Sequence, residues 1–356
     1  MNNRQLTFAR EFRGYSQTEL ANSIKGLSQS NLSKFEKGLG YLSEDLQKKI
    51  IDFLDFPVSF FERKINSTIT HAHYRKKSAV SKAEITKFEN KCKLLGYIVD
   101  EMSESINWPE FNFIQLNIEE GYSPAYIAGY NRAALKIPKG APLKDICNLL
   151  ENNGVIIYEM EIPEKFDGIS FFTDKGYPIV IINRNFPNDR KRFTIAHELG
   201  HLLMHNDFQF PISEYRDEKF KEKEANEFAS EFLMPSSDIK NSLRGLKWND
   251  LGVLKSYWLT SIASIIRRAK DLECISNDRF KHFRIEMSRY GYNKKEPIDV
   301  YIDKPQCFKN GYHLFKNELS YSDDDFVQTM NLPLDIIKDI FYYDRLVSLK
   351  VVRNIA

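Results

Sequence analysis

The sequence predicts an α+β chain that is mostly helical, and three observations carry the prediction. Apolar residues recur at helical spacing through residues 1–60 and again from about 218 onward. Short apolar runs separated by Gly- and Asp-containing turns occur together only between about 155 and 183. No internal repeat or low-complexity tract suggests a solenoid or a fibrous chain. The expected order is a five-helix amino-terminal domain over 1–66, a linker and helical connector over 67–140, a domain with a small, mainly antiparallel sheet over 141–242, and a helical carboxy-terminal region over 243–356.

At 356 residues, with 42% apolar and 28% charged residues, the chain has an ordinary globular composition and enough length for two or three domains. Its net charge of +2 is unevenly spread, because residues 1–80 hold thirteen Lys or Arg against eight acids. The opening MNNRQLTFAREFRGYS lacks a secretory signal pattern, and no apolar run is long enough to cross a bilayer. A cytoplasmic protein with no membrane partner is therefore expected. Cys92, Cys147, Cys274 and Cys307 lie far apart without a CxxC pair, which points to inert thiols rather than a disulfide framework or a thiolate metal site.

The amino-terminal helices are short, and several open on a Ser placed as an N-cap: Ser16 before QTEL and Ser28 before QSNL. Phe56-Pro57 ends the last of them. In SQTELANSIKGLSQSNLSKFEKG, two helices flank a Gly-containing turn, with Leu20, Ala21, Ile24, Leu32 and Phe35 on the inner face. That is the pattern of a helix-turn-helix, whose second helix enters the major groove of double-stranded DNA. Gln17, Ser28, Gln29, Ser30, Asn31 and Lys34 are left outward with amides, hydroxyls and a cation suited to base edges and phosphates. Residues 6–38 resemble the XRE (Cro/CI-type) repressor family. The resemblance implies an operator as partner, and readers of this type commonly dimerise on two half-sites, so a homodimer is a candidate state.

Farther along, HAHYRKKSAVSK (71–82) reads as a basic linker and 83–106 as one long amphipathic helix. PLKDICNLLENNG is a helix closed by Gly154. VIIYEME, GISFFT and YPIVIIN are strands, the last two paired antiparallel across the turn DKG. A helix carrying FTIAHELGHLLMH follows, then a polar loop with Pro211, then a helix from about Glu218 to Phe232 stopped by Met234-Pro235.

On a helix, residues four apart stand about 6 Å apart along the axis, so His197 and His201 can bind one ion. Glu198 is then turned toward the open coordination position, where it can take a proton from water. His205 lies about 12 Å along the axis from His197, too far to share ligand bonds of about 2 Å, and is assigned to the rim or to a structural role. The better source of a third ligand is the next helix, which offers Glu218, Glu222, Glu224 and Glu227. Ala225, Phe228, Ala229 and Phe232 mark its buried face and place Glu222 and Asn226 on that side, the amide as a support for a ligand. Glu224 falls on the side expected to meet water.

This arrangement is similar to that of gluzincin peptidases. More closely, RFTIAHELGHLLMH followed by EKEANEFASEFLMP resembles the ImmA/IrrE family of zinc metallopeptidases over roughly 145–240. The resemblance implies Zn²⁺ as cofactor, Glu222 as third ligand with Glu224 the alternative, and a gluzincin-like fold. The later stretch LGVLKSYWLTSIASIIRRAKDLECIS resembles the segment that follows the peptidase in longer fusions, and Arg267, Arg268 and Lys270 are a candidate second anion-binding face. Two functions stay open at this level. One is a DNA-binding regulator that cleaves a repressor or partner protein to control mobile-element or stress-response genes. The other is a non-proteolytic regulator whose zinc domain senses a ligand, metal or partner.

Overall fold

The computed structural model describes residues 1–62, 82–162, 166–205 and 217–341. The expected basic linker and the loop containing Pro211 lie outside the described residues. The described chain is mostly helical, with one three-stranded sheet, and divides into two units. The first comprises residues 1–62, 82–106 and 309–341, and the second residues 107–308.

In the first unit, α1 (Asn3–Phe12), α2 (Gln17–Ser23), α3 (Gln29–Glu36) and α4 (Glu44–Leu54) each begin at an Asn or Ser whose side chain accepts a first-turn N–H. At Ser16 the exchange is reciprocal, Glu19 accepting the Ser16 N–H in return. Leu20, Ala21, Ile24, Leu32 and Phe35 are all buried, as their spacing predicts. The buried Arg10 donates to both Glu36 oxygens, at 2.6 and 2.9 Å, and to the Tyr15 carbonyl at 2.7 Å, clamping α1 to α3. The fifth expected helix is a single 3-10 turn, Val58–Glu62. It follows the left-handed cap at Asp55 and Pro57 and runs to the end of the described residues of this stretch. Lys82–Met102 forms α5, which packs on α1.

The second unit opens with α6 (Pro124–Ala134) and α7 (Ile146–Asn152), then β1 (Ile156–Met160), β2 (Gly168–Phe172) and β3 (Pro178–Asn183). The strand order is β1-β3-β2. β2 and β3 pair antiparallel, Ile169 opposite Ile181, as the DKG turn predicts. The sheet is nevertheless mixed rather than mainly antiparallel, because β1 runs parallel to β3 with Ile157 opposite Val180. A turn residue fixes a hairpin, but nothing local fixes the longer β1-to-β2 connection that carries the chain past the central position to the sheet's far edge. β3, between its two neighbours, is buried at every residue.

Against this sheet lies α8 (Asn188–Met204), which α9 (Glu218–Leu233) covers from another side. Every residue of α8 from Thr194 to Met204 is buried. A helix apolar nearly all round belongs in the centre of a domain, and here it shares one core with Ile157, Val180, Phe228, Phe232 and Ile265. Arg192, fully buried, ties α8 to the carbonyls of Leu143, Lys144 and Tyr301. The helices α10 (Ser236–Leu243), α11 (Asp250–Trp258), α12 (Ile262–Asp271) and α13 (Asn277–Arg289) complete this unit. The last three helices, α14 (Cys307–Asn317), α15 (Asp323–Met330) and α16 (Leu334–Phe341), fall in the first unit from Lys309 on. There Tyr97 of α5 donates its hydroxyl to the Met330 carbonyl at 2.8 Å.

Candidate metal centre

Two helices and one strand build the site. One turn of α8 brings the Nε2 atoms of His197 and His201 to 3.0 Å from each other. From α9, Glu222 places Oε2 at 3.5 Å from His197 Nε2 and Oε1 at 3.3 Å from His201 Nε2. The three ligand atoms lie within 4.8 Å of one another, both imidazoles are buried, and Glu222 is half-buried. Burial alone would raise the Glu222 carboxyl, but hydrogen bonds and charge from the two histidines outweigh it and hold the group well below the usual carboxylate range. Two imidazoles and a carboxylate converging on one point form a donor set that suits a divalent transition ion, and these residues could hold a metal. Among the described residues His197 Nδ1 has no hydrogen-bond partner, so its ring is directed by the Nε2 side.

Close backbone approach makes this possible at two glycines. A Cβ at Gly200 would stand 3.0 Å from Phe228 Cδ1, so glycine there lets α9 come near enough for Glu222 to reach the histidines. A Cβ at Gly168 would meet the Ile181 carbonyl oxygen and Thr194 Cγ2 at 2.7 Å each, so glycine there lets β2 run against α8. That contact puts Ser170 beside the buried Glu198. The Ser170 hydroxyl lies 2.7 Å from Glu198 Oε2 and 3.1 Å from its backbone oxygen; the single proton goes to the nearer carboxylate. Ser170 was not legible as a site residue, since GISFF looks like any buried strand.

His205 stands outside the cluster, in line with the axial distance. It caps the end of α8 and sets its Nδ1 at 3.0 Å from His201 Nδ1 and its Nε2 at 2.9 Å from Glu224 Oε2. Glu224 therefore does not turn to water as its position on the helix suggested: its side chain is only 14% exposed. The reason is His205, whose N–H still bonds the His201 carbonyl at 2.9 Å, so that its ring stands one turn beyond His201 on the same face of α8 and meets Glu224 of α9. The proton order of this chain is then determined. A His201 that offers Nε2 to a metal carries its proton on Nδ1 and donates it to His205 Nδ1. His205 must in turn carry its proton on Nε2 and donate to Glu224. Asn226 does stack on Glu222, but its amide donates to the Glu222 backbone oxygen at 2.6 Å.

A cavity of about 990 Å³ reaches His197 and Glu198 between the first half of α8, the start of β2 and the segment 284–300. In the first unit, Ser28, Gln29, Ser30, Asn31 and Lys34 are exposed on α3. The Ser28 hydroxyl is occupied as the cap, accepting from Asn31 N. The half-buried Gln17 donates to Glu36 at 2.7 Å and accepts from Gln29 at 3.0 Å, linking the two helices of the turn. The candidate anion face on α12 is not assembled. Arg268 is buried on Glu231 and the Met234 carbonyl, Arg267 pairs with Asp271, and Lys270 lies over the Phe280 ring.

No curated protein matches the chain. Residues 151–270, which carry the sheet, α8, α9 and the three helices α10 to α12, match the model of the peptidase M78 family, the IrrE N-terminal-like domain, and so are similar to a domain of metallopeptidase type.

Proposed function

We propose that this chain is a DNA-binding transcriptional regulator whose second unit is a zinc metallo-endopeptidase that cleaves a repressor or partner protein, and so controls mobile-element or stress-response genes. The observation that carries the reading is the convergence of His197, His201 and Glu222 beside a buried Glu198, within the segment similar to the IrrE N-terminal-like domain. His197 and His201 would hold zinc through Nε2 and Glu222 through its carboxylate. The bound ion supplies Lewis acidity toward a peptide carbonyl and toward water. Glu198, fixed by Ser170, accepts the proton of the attacking water and returns it to the departing amine. The cavity at His197 and Glu198 gives a peptide access, which favours cleavage over a domain that only senses metal.

The helix-turn-helix reading of α2 and α3 rests on their caps, the buried inner face and the exposed polar residues of α3. In it, Gln29, Ser30 and Asn31 face base edges, Lys34 faces a phosphate, and Gln17 braces Gln29. Ser28 contributes by capping the recognition helix.

Glu198→Gln tests the enzymatic reading, because it keeps the shape of the side chain and removes its basicity. The variant is expected to fold, to keep zinc, and to cleave the cognate repressor at least about 10²-fold more slowly. Unchanged cleavage with zinc retained would refute the mechanism.

A further inference from the structure

The cavity beside Glu198 has a second wall whose charge the metal site does not explain. Arg190 is committed to Asp167, at 2.5 and 3.2 Å, and lies over the Phe186 ring. Lys255, 1% exposed, is committed to Asp189 at 2.5 Å and Glu296 at 2.6 Å. These groups neutralise one another within the fold. Left over on the same cavity are Arg284, Lys294 and Lys295, none of which has an ion pair or side-chain hydrogen bond among the described residues. The remaining acids there are Glu198 and Asp299.

The placement of the two lysines is enforced by their neighbour. Glu296 accepts from Lys255 Nζ and, at 2.8 and 3.2 Å, from the backbone N–H groups of Ile262 and Ala263 that open α12. The helix terminus is thereby filled by the protein's own carboxylate. The loop just before Glu296 is closed by bonds from the Lys294 and Lys295 N–H groups to the Gly291 carbonyl at 3.0 and 3.3 Å. Lys294 and Lys295 are thus presented to the cavity by an anchored loop, next to Arg284 of α13. Apolar side chains of Phe193, Met287 and Ile298 line the space between.

We propose that this cavity selects a peptide segment bearing acidic side chains flanked by apolar ones, its carboxylates received by Arg284, Lys294 and Lys295 while Glu198 acts on a nearby peptide bond. The proposal rests on the peptidase reading above and names its substrate class. A cavity of this volume is large enough to enclose most of a small ligand's surface, and its apolar lining with a few convergent cations gives orientation as well as affinity. A nucleic-acid strand would bring continuous negative charge past Glu198 and Asp299, which a peptide with spaced acids avoids.

The test uses the zinc-loaded full chain and three pools of internally quenched peptides, degenerate except for fixed positions occupied by Asp and Glu, by Ala, or by Lys. Exposed pairs are individually weak, so three cations together are expected to give on the order of a tenfold preference for the acidic pool over the Ala pool. The combined Arg284→Gln, Lys294→Gln, Lys295→Gln variant should lose that preference. Lys294→Glu with Lys295→Glu should shift it toward the Lys pool, which a merely structural role would not do. In parallel, binding of a fluorescein-labelled acidic peptide to the wild type and to Glu198→Gln is read by anisotropy. Equal rates for the three pools, or a preference surviving charge reversal, would overturn the assignment and leave the peptidase reading intact. If no pool is cleaved but the acidic peptide binds with the same charge dependence, the assignment of the wall is supported and the peptidase reading fails. The absence of both cleavage and binding for every pool would overturn the proposal, as would displacement of the acidic peptide by a single-stranded oligonucleotide in preference to unlabelled acidic peptide.

Discussion

His205 is a residue that helix geometry excludes from coordination and that nonetheless bears on it. With His201 Nδ1 on one side and the Glu224 carboxylate on the other, it holds the His201 ring in the tautomer that leaves Nε2 for a metal. Partners of this kind typically contribute 10–100-fold to metal affinity, so His205→Leu is expected to weaken zinc binding by roughly that factor. Competition against a chromophoric chelator reads it directly, and an unchanged affinity would remove His205 from the site. The sequence already held half of this: four-residue spacing separates the metal-binding pair from the third histidine. It did not hold the other half, because periodicity gives Glu224 a side of its own helix but not the neighbour that side meets, which here is His205 of α8. Ser170 was beyond reach for a similar reason: its partner lies 28 residues away and only the packing of β2 on α8 joins them.

Among the elements, α2, α3, α8 and α9 were legible from their caps and periodicity, down to Ser16, Ser28 and the Met234-Pro235 stop of α9, whereas α6 (Pro124–Ala134) was not. The hairpin was legible from DKG, whereas the parallel pairing of β1 was not, since register between distant strands is set by the core they share. α7 carries another feature of that long-range kind. Glu151 is buried, accepts from the Gln306 N–H at 2.8 Å, and among the described residues has no hydrogen-bond partner at Oε1. Burial pushes its carboxyl from the ordinary 4.5 up to about 7, the bonds from the 306–307 backbone opposing this in part. Between those two values the folded chain holds a proton that the unfolded chain has released. Stability therefore falls as pH rises through that window, by about 3 kcal/mol from this group, and is level above it. Glu151→Gln keeps the acceptor and removes the charge. In denaturant unfolding at about pH 4.5 and about pH 8, the variant should gain on the wild type only at the higher pH. An advantage of equal size at both would show that Glu151 does not titrate in this range.

For the molecule as a whole, the proposed function assigns two chemistries to the two units, DNA reading to the unit of α3 and metal chemistry to the unit of α8 and α9. Changes in one unit should then leave the other's primary property untouched. Lys34→Ala is expected to weaken operator binding uniformly across sequences and to lower the salt slope by about 1, with zinc content as in the wild type. A fluorescence titration over a salt series checks it, and an unchanged slope would take Lys34 off the phosphate backbone. Residues 1–38 and 193–235 already carry the local signals of a basic helical segment and of a candidate metal site. The return of the last helices to the first unit was not, because no local signal in residues 309–341 names the partner they pack on.

The central claim is that His197, His201 and Glu222 together hold one zinc ion. Metal analysis of the purified full chain after removal of loosely bound ions tests it most directly. The account predicts about one zinc per chain in the wild type and in Glu198→Gln, and none retained by a folded Glu222→Ala. A wild type that takes up no zinc, or a Glu222→Ala variant that keeps its full complement, would contradict it.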